Sequence, residues 1–307
     1  MDIYLPIAEV SINAPMLVAL GALVGFISGM FGIGGGFLMT PMLVFLGVPP
    51  PVAVSSMANH VAASSMSSVI AYSRRRAVDL RMGGVLAAGG IVGAFAGVEI
   101  FRMLRLLGQA DLVVSVSYLV FLSVIGALML TESLGAILRR RRGEPQPPRR
   151  DRRPVWLYGL PLKMRFPRSR LYISVIPPLL LGAFVGVLSA IMGVGGGFVL
   201  VPAMVYILRM PAGMVVGTSL LQIIVTTALT GVLQAGRNQT VDIVLATLLL
   251  VGGVVGAQLG ARASSRFRAE ELRAILALIV LLVGLRMGLG LFFRPDEPFV
   301  LMPGTGG

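Results

Sequence analysis

The sequence predicts an all-α integral membrane protein made of two related halves. Of its 307 residues, 56% are hydrophobic and 13% are charged, whereas soluble domains carry about 25% charged residues. Apolar runs of about 20 residues recur along the chain, as membrane spans require. Residues 25–41 match residues 186–202 at a spacing of 161, with eight of seventeen positions identical. The match continues downstream with single-residue shifts, so the whole first half is repeated.

Each half predicts the same series of elements. A glycine-broken apolar stretch, at about 14–47 and again at about 174–208, precedes three ordinary transmembrane helices. We place these helices near residues 52–73, 82–101 and 112–138, and near residues 212–235, 243–261 and 272–293. The predicted domains are a first repeat at 1–138, a basic linker at 139–172 and a second repeat at 173–307.

The broken stretch allows two arrangements, a kinked continuous span or a re-entrant hairpin. Each of its two pieces is expected to be shorter than a hydrocarbon core of roughly 30 Å. The distribution of arginine favours the hairpin, because only then do Arg74–Arg76, the linker and the 262–273 loop share the cytoplasmic side. The halves are then inverted repeats with both termini outside.

The net charge of +13 is concentrated in the linker, where residues 139–170 hold twelve basic and two acidic residues. The positive-inside rule and anionic headgroups explain a basic loop between apolar spans better than nucleic acid does. We therefore predict membrane lipid and a small anion as partners, predict no nucleic acid, and leave a homo-oligomer open.

Two glycine tips are the first candidate substrate site. The first consists of Gly34, Gly35 and Gly36, and the second of Gly195, Gly196 and Gly197. Neither is a nucleotide loop, since no strand precedes it and no Lys-Ser/Thr follows. Bare backbone N–H groups at a helix N-terminus favour an anion, and irregular backbone at mid-membrane is tolerated where it lines a cavity or is buried in protein. The alternative is a tight turn that serves close packing.

A polar cluster follows each tip. Its members, also predicted to bind substrate, are Ser55, Ser56, Asn59, His60, Thr218, Ser219 and Gln222. Polar groups in a membrane usually face the bundle interior or a cavity, although hydrogen bonds between helices explain them equally well. His60 is the only histidine; it either couples transport to protons or is packed and neutral.

Charged pairs mark the predicted mouths. Arg75 precedes Asp79 and Arg237 precedes Asp242 at equivalent places in the two halves. They would recruit anions from either side, or form ion pairs that hold loops. Small-residue spacing predicts close helix packing at Gly89, Gly93, Gly97, Gly252, Gly256 and Gly260.

The chain resembles the TauE/SafE-like sulfite and organosulfonate exporters of the toluene-sulfonate-uptake permease type. The resemblance rests on the doubled Gly-x-Gly-Gly-Gly with Pro41 and Pro202, on Gly217-Thr218-Ser219, and on Val78-Asp79 and Val241-Asp242. Two departures are Ser55-Ser56-Met57, where the second half has Gly-Thr-Ser, and the arginine-rich linker. The resemblance implies a multi-pass anion transporter of the bacterial inner membrane.

We therefore predict a secondary exporter of small oxyanions that works by alternating access around the paired tips. The alternatives are an anion channel of the same architecture and a structural membrane subunit. We predict no enzyme and no cofactor, because the sequence shows no metal-ligand cluster, no Ser/His/Asp set and no paired buried carboxylates, and it contains no cysteine.

Overall fold

The structure is a computed structural model that describes residues 2–31, 35–141, 161–169, 171–263 and 269–292. The first half contains β1 (Asp2–Leu5), β2 (Val10–Asn13), α1 (Ala14–Phe31), α2 (Gly36–Phe45), α3 (Pro50–Arg74), α4 (Leu80–Leu106) and α5 (Ala110–Arg141). The second half contains β3 (Lys163–Phe166), β4 (Leu171–Ser174), α6 (Ile176–Met192), α7 (Gly197–Tyr206), α8 (Ala212–Leu233), α9 (Ile243–Ala263) and α10 (Ala269–Phe292). A π-helical turn, Gln234–Asn238, extends α8.

The described residues include five helices that are long and apolar enough to cross a membrane, at Ala14–Phe31, Leu80–Leu106, Ala110–Gly135, Gly213–Asn238 and Ile243–Ala263. The mostly helical membrane class is therefore confirmed. Helix α1 was expected to be too short to span alone, but its 18 residues from Ala14 meet the length and composition of a candidate span and extend about 27 Å, close to the roughly 30 Å of a hydrocarbon core. Helix α3 is less apolar because it carries the serines, Asn59 and His60.

Two short hairpins were not predicted. Strands β1 and β2 pair antiparallel with Asp2 opposite Asn13, and β3 and β4 pair with Lys163 opposite Ser174. The two hairpins are equivalent in the repeat, and the second lies where the linker was predicted to end. Four-residue strands are too short to give a clear alternating pattern.

The first helix of each half packs along a helix of the other half. Helix α1 packs along α9, and α6 packs along α4. A Cβ built on Gly25 would lie 2.4 Å from the carbonyl oxygen of Gly253, and one built on Gly93 would lie 2.0 Å from that of Ala183. Such close approach is possible only where one of the two residues lacks a side chain, so the glycines serve close packing as predicted.

The contacts also give the relative directions of the helices. Along α1 and α9, Gly21 meets Leu249 and Gly29 meets Ala257, so these two helices run parallel. Helix α3 runs parallel to α9 as well, because His60 contacts Leu249 and a later residue, Ser67, contacts Val254. Helices α1 and α3 therefore point the same way.

The second half repeats this relation around α4. Helix α6 runs parallel to α4, since Gly89 meets Leu179 and Gly97 meets Val187. Helix α8 does so too: Gly83 meets Leu221, and Gly90 meets Thr226.

The last helices of the two halves run in opposite directions. Along α5 and α10, Gly126 meets Leu281 while Gly288 meets Leu119. Helices α3 and α8 pack against each other, with α9 beside α3 and α4 beside α8. They form the centre of the molecule.

Candidate functional site

The glycine tips form the starts of α2 and α7. Helix α2 follows Gly35, which has φ +64°, and α7 follows Gly196, which has φ +71°. Residues other than glycine rarely adopt this left-handed conformation. The first amides of a helix have no partner within the helix, so each tip presents donors and the positive end of the helix dipole. Gly34, a predicted site residue, lies outside the described residues.

The two tips meet. A Cβ built on Gly36 would lie 2.7 Å from the carbonyl oxygen of Gly193, which ends α6. Just beyond the tips, the rings of Phe37 and Phe198 stack with their centroids 6.0 Å apart. Val61 of α3 touches both tips, at 2.8 Å from the Cβ position of Gly36 and 2.7 Å from that of Gly195. Gly36 therefore lies against the start of the second tip at Gly193, and Val61 bridges Gly36 and Gly195.

Two equivalent serines, one in the first helix of each half, carry buried hydroxyl groups. Ser28 in α1 and Ser189 in α6 are both completely buried, and within the described residues neither hydroxyl has a hydrogen-bond partner. The Cβ of Ser28 lies 2.8 Å from the Cβ position of Gly35. An unpaired buried hydroxyl costs about 1–3 kcal/mol. The site therefore contains donors that a bound group can satisfy.

Polar residues also line the inner faces of α3 and α8. The fully or almost fully buried members are His60, Ser64, Ser65 and Ser68 in α3 and Gln222, Thr226, Thr227 and Thr230 in α8. The hydroxyl groups of Ser65 and Thr230 have no partner in the described part of the chain. Asn59 of α3 contacts Gly231 of α8, whereas Ala77, just beyond the end of α3, contacts Gly217, so the two helices run in opposite directions. The two polar faces therefore extend from the tips towards opposite ends of the molecule.

Several predicted binding residues instead hold connections in place. Ser55 Oγ lies 2.6 Å from Thr240 Oγ1, and Ser56 Oγ accepts from the Asp242 amide at 3.0 Å. Thr218 Oγ1 accepts from the Asp79 amide at 3.0 Å in the equivalent contact. These hydroxyls fasten the starts of α9 and α4.

Ser219 and Asn59 lie elsewhere. Ser219 Oγ donates to the carbonyl of Val216 at 2.8 Å, within its own helix. Asn59 packs against Gly231 of α8. A Cβ built on Gly231 would lie 2.3 Å from the Oδ1 atom of Asn59. Asn59 therefore faces α8, whereas Ser56 contacts the start of α9.

His60 and Gln222 occupy equivalent places between helices. His60 Nδ1 donates to the Leu249 carbonyl at 2.8 Å, and the ring packs on Gly253. Gln222 Nε2 donates to Thr226 Oγ1 at 2.8 Å. Among the described residues His60 Nε2 and Gln222 Oε1 have no partner. Each side chain thus keeps one polar atom available.

The two aspartates are buried clamps. The Asp79 carboxylate accepts from Ser169, through its amide at 2.9 Å and its hydroxyl at 2.5 Å, and caps α4. The Asp242 carboxylate accepts from the amides of Ile7 and Leu245, both at 3.0 Å. Each aspartate therefore holds the hairpin turn that precedes the other half.

The two arginines differ from each other. Arg237 forms an ion pair with Glu99 at 3.0 Å, whereas Arg75 lines a cavity at the C-terminal ends of α3 and α9. In the described part of the chain, no group of three or more His, Asp or Glu residues could hold a metal ion.

Sequence reasoning did not select Ser28, Ser189 and the serine and threonine faces of α3 and α8. The identity of Ser28 and Ser189 in the repeat was a usable signal. The serines of α3 and threonines of α8 recur at spacings of three or four residues, which places them on one helical face.

Residues 17–287 match the family model for the sulfite exporter TauE/SafE. A probable membrane transporter protein of Xylella fastidiosa (strain 9a5c) is 31% identical over 86% of this chain and 91% of its own length. The probable membrane transporter protein YjnA of Bacillus subtilis is 26% identical over 88% of this chain and 98% of its own. Sulfite exporter TauE/SafE family protein 3 of Arabidopsis thaliana is 28% identical over 40% of this chain and 27% of its own length. No solved structure shows significant similarity.

Proposed function

Since the chain belongs to the TauE/SafE sulfite exporter family, whose members named above are described as membrane transporters, we propose that it is a secondary exporter of small oxyanions. Sulfite and organosulfonates are the substrates to test. The observation that carries the proposal is the meeting of two glycine tips, with Ser28 against Gly35, in a fold whose buried Ser28 and Ser189 hydroxyls have no partner among the described residues. Helix N-termini and hydroxyl donors together suit a singly or doubly charged oxyanion.

Alternating access around this site would use two inverted repeats, each with a re-entrant hairpin. Support comes from the parallel directions of α1 and α3, because a continuous span formed by α1 and α2 would leave α3 antiparallel to α1. The corresponding pairs α3 and α8, and α5 and α10, point in opposite directions, as inverted halves require. Polar faces that extend from the tips to opposite ends suit a site opened alternately to the two sides.

We place the protein in the bacterial inner membrane with the 139–172 linker in the cytoplasm and both termini outside. Arg74–Arg76 and Arg262 lie at the C-terminal ends of the parallel helices α3 and α9, so they lie on one side. The opposite end carries Glu99 beside Arg237. The positive-inside rule assigns the first end to the cytoplasm.

Single-cysteine labelling tests the inversion, since the chain has no native cysteine. Ser73 and Gly236 are exposed positions near the C-terminal ends of α3 and of the π-helical extension of α8, and nothing lies within 4 Å of a Cβ built on Gly236. In intact cells, a membrane-impermeant maleimide should label Gly236→Cys but not Ser73→Cys. Permeabilised cells should label both. Equal labelling of both variants in intact cells would refute the inversion.

Binding at the tips is tested with Ser28→Ala and Ser189→Ala. Each removes a buried hydroxyl that has no partner among the described residues, so folding should not be impaired. A hydrogen bond to a charged group contributes about 1.5–3 kcal/mol, which corresponds to a sulfite Kd raised roughly tenfold or more. Ser174→Ala is the control, because this buried serine donates to Pro161 at 2.7 Å in the β3–β4 hairpin. Unchanged Kd values in both tip variants would contradict the site.

Glycine variants are less suitable for this test. A Cβ on Gly196 would lie 2.1 Å from Val185 Cγ1 at a positive φ, so Gly196→Ala would disturb folding and binding together.

Sulfite flux in proteoliposomes separates the carrier from its alternatives. An exporter should show saturable flux and counterflow, in which unlabelled sulfite inside the vesicles accelerates uptake of labelled sulfite. Flux without counterflow would indicate an anion channel. No flux, together with no thermal stabilisation by sulfite, would indicate a structural subunit.

A further inference from the structure

The polar face of each central helix contains a regular stripe of buried side chains that continues towards the C-terminal end of the helix. The members of the two stripes are His60, Ser64, Ser68 and Tyr72 in α3, and Gln222, Thr226, Thr230 and Gln234 at equivalent places in and just after α8. A spacing of four residues keeps the members of each stripe on one helical face. The last member of each stripe is larger than the hydroxyl residues before it.

These last members make the same contact in both halves. Tyr72 Oη donates to the carbonyl oxygen of Gly29 at 3.4 Å, and Gln234 Nε2 donates to that of Ala190 at 3.2 Å. Gly29 and Ala190 are equivalent in the repeat, and each directly follows one of the two buried serines without a partner in the described residues. Because different side chains make one contact in the two halves, the contact belongs to the common architecture.

The acceptors show what these contacts hold. Helix α1 ends at Phe31 and α6 ends at Met192, so both acceptor carbonyls lie in a last helical turn. Carbonyls of a last turn have no amide partner within their helix, and Tyr72 and Gln234 supply donors to them. Each of these two side chains therefore holds the helix end that leads into a glycine tip.

Tyr72 and Gln234 lie at opposite ends of the molecule, because α3 and α8 run in opposite directions. At one end, Tyr72 belongs to a buried cluster that joins α3 to α8 and α9 through Leu220 and Ala261. At the other end, Gln234 is completely buried and its Oε1 accepts from the side-chain amide of Asn238. Each side chain therefore closes one of the two polar faces.

Both contacts are of a kind that can open. Their lengths of 3.4 and 3.2 Å are at or beyond the long end of ordinary hydrogen bonds, and both join neutral groups. Water that enters on opening can bond to the donor and to the carbonyl, so the exchange costs little free energy. A small difference between closed and open states is what a two-state element requires.

We propose that Tyr72 and Gln234 are the two gates of the transport path, where a gate is a side chain whose contact closes one polar face. Opening at Tyr72 exposes the serines of α3, and opening at Gln234 exposes the threonines of α8. Each opening also releases the helix end beside a tip, which couples access to the geometry of the site. This inference rests on the proposed transport function and places the gates deeper than the charged residues predicted at the mouths.

Thiol accessibility measures each gate without a substrate. Ser68→Cys reports on the α3 stripe and Thr230→Cys on the α8 stripe, since both parent side chains are buried and the chain has no native cysteine. Each reporter is combined with Tyr72→Ala and, separately, with Gln234→Ala. Purified full-length protein in an uncharged detergent is reacted with a small anionic methanethiosulfonate, and the labelling rate is followed by mass spectrometry.

Two control variants match the gate variants in helix and in type of change. Met66→Ala in α3 and Val232→Ala in α8 shorten side chains that are 59% and 70% exposed. They remove volume from the same helices without touching a polar face. Neither control should change the labelling rate of either reporter by more than about twofold.

The expected pattern is crossed. Labelling follows the population of the locally open state, so Tyr72→Ala should accelerate Ser68→Cys at least about tenfold and leave Thr230→Cys within about twofold. Gln234→Ala should do the reverse. General loosening of the fold would accelerate both reporters together, so the crossed pattern distinguishes a gate from a side chain that only packs.

The proposal is overturned if the gate variants change labelling no more than the controls do, or if each accelerates both reporters equally. Melting midpoints identify the folded variants. If an alanine variant does not fold, Tyr72→Phe or Gln234→Met decides in its place, because each keeps most of the side-chain volume and loses the bond to the helix end. Acceleration of the reporter on the same stripe alone supports the gate, and an unchanged rate overturns it.

The result is separable from that of the proposed function. The thiol assay contains no sulfite, so normal sulfite binding at the tips together with uncrossed labelling would overturn the gates alone. Crossed labelling in a protein that neither binds nor transports sulfite would support the gates and count against the proposed substrate.

Discussion

The Asp79 clamp gives a prediction whose size follows from the structure. One carboxylate oxygen, Oδ1, accepts from the amides of Arg81 and Met82 at 3.1 and 3.2 Å. The other, Oδ2, accepts from the amide and hydroxyl of Ser169. The residue is 1% exposed, so water cannot replace these bonds. The two oxygens therefore have separate tasks, a helix cap and a clamp on the β3–β4 hairpin.

Substitutions at Asp79 should separate the two tasks. Asp79→Ala loses the cap, about 1 kcal/mol, and leaves the Ser169 donors unsatisfied, about 1–3 kcal/mol. Asp79→Asn can keep its carbonyl on the cap but places an NH₂ against the Ser169 amide, so it should fall between Ala and wild type. On the scale of large domains, a loss of about 2–4 kcal/mol lowers the melting midpoint on the order of 5–10 °C.

The assay is thermal unfolding of purified protein in one detergent, with Glu99→Gln as the control. Glu99 is a half-exposed partner of Arg237, and exposed ion pairs contribute about 0–1 kcal/mol. A double-mutant cycle with Ser169→Ala should show a coupling above about 0.5 kcal/mol. The reasoning fails if Asp79→Ala melts together with Glu99→Gln, or if the cycle shows no coupling.

Two further substitutions test contacts near the tips. Tyr118→Phe removes a buried hydroxyl that donates to the Met192 carbonyl at 2.6 Å. The variant should lose about 1–3 kcal/mol of unfolding free energy and show reduced sulfite flux. A variant that matches wild type in melting and in flux would show that this hydrogen bond does not support the second tip. Gly253→Ala would place a Cβ 2.0 Å from His60 Cε1 and should lower the melting midpoint and the yield. A second substitution, His60→Ala, should restore part of the loss, and the contact is wrong if no rescue occurs.

The sequence predicted the features that recur in it. The repeated glycines located both tips within one or two residues, because glycine adopts left-handed backbone most readily and allows close backbone contact. The helix positions followed from apolar length. The small residues in α1 and α9 predicted close helix packing, but the sequence did not show which helix packs against which. Only the structure shows that α1 packs along α9.

Long-range polar pairing could not be predicted in the same way. Asp79 and Ser169 are 90 residues apart, and nothing in a single sequence links a carboxylate to one particular serine. Ser28 lies in an otherwise apolar helix, where a lone hydroxyl usually bonds to its own backbone. Its lack of a partner depends on the exact packing around it.

The exchange of helices between the halves has a consequence for synthesis. Helix α1 is made first, yet the backbone that covers Gly25 belongs to Gly253, and the carboxylate that holds Ile7 belongs to Asp242. At about 5–20 residues per second, a ribosome needs roughly ten to fifty seconds to supply them. During that interval the nascent first half presents an uncovered glycine surface to lipid, the translocon or another nascent copy. The yield of correctly folded protein therefore depends on what covers the glycine surface of α1 before α9 is synthesised.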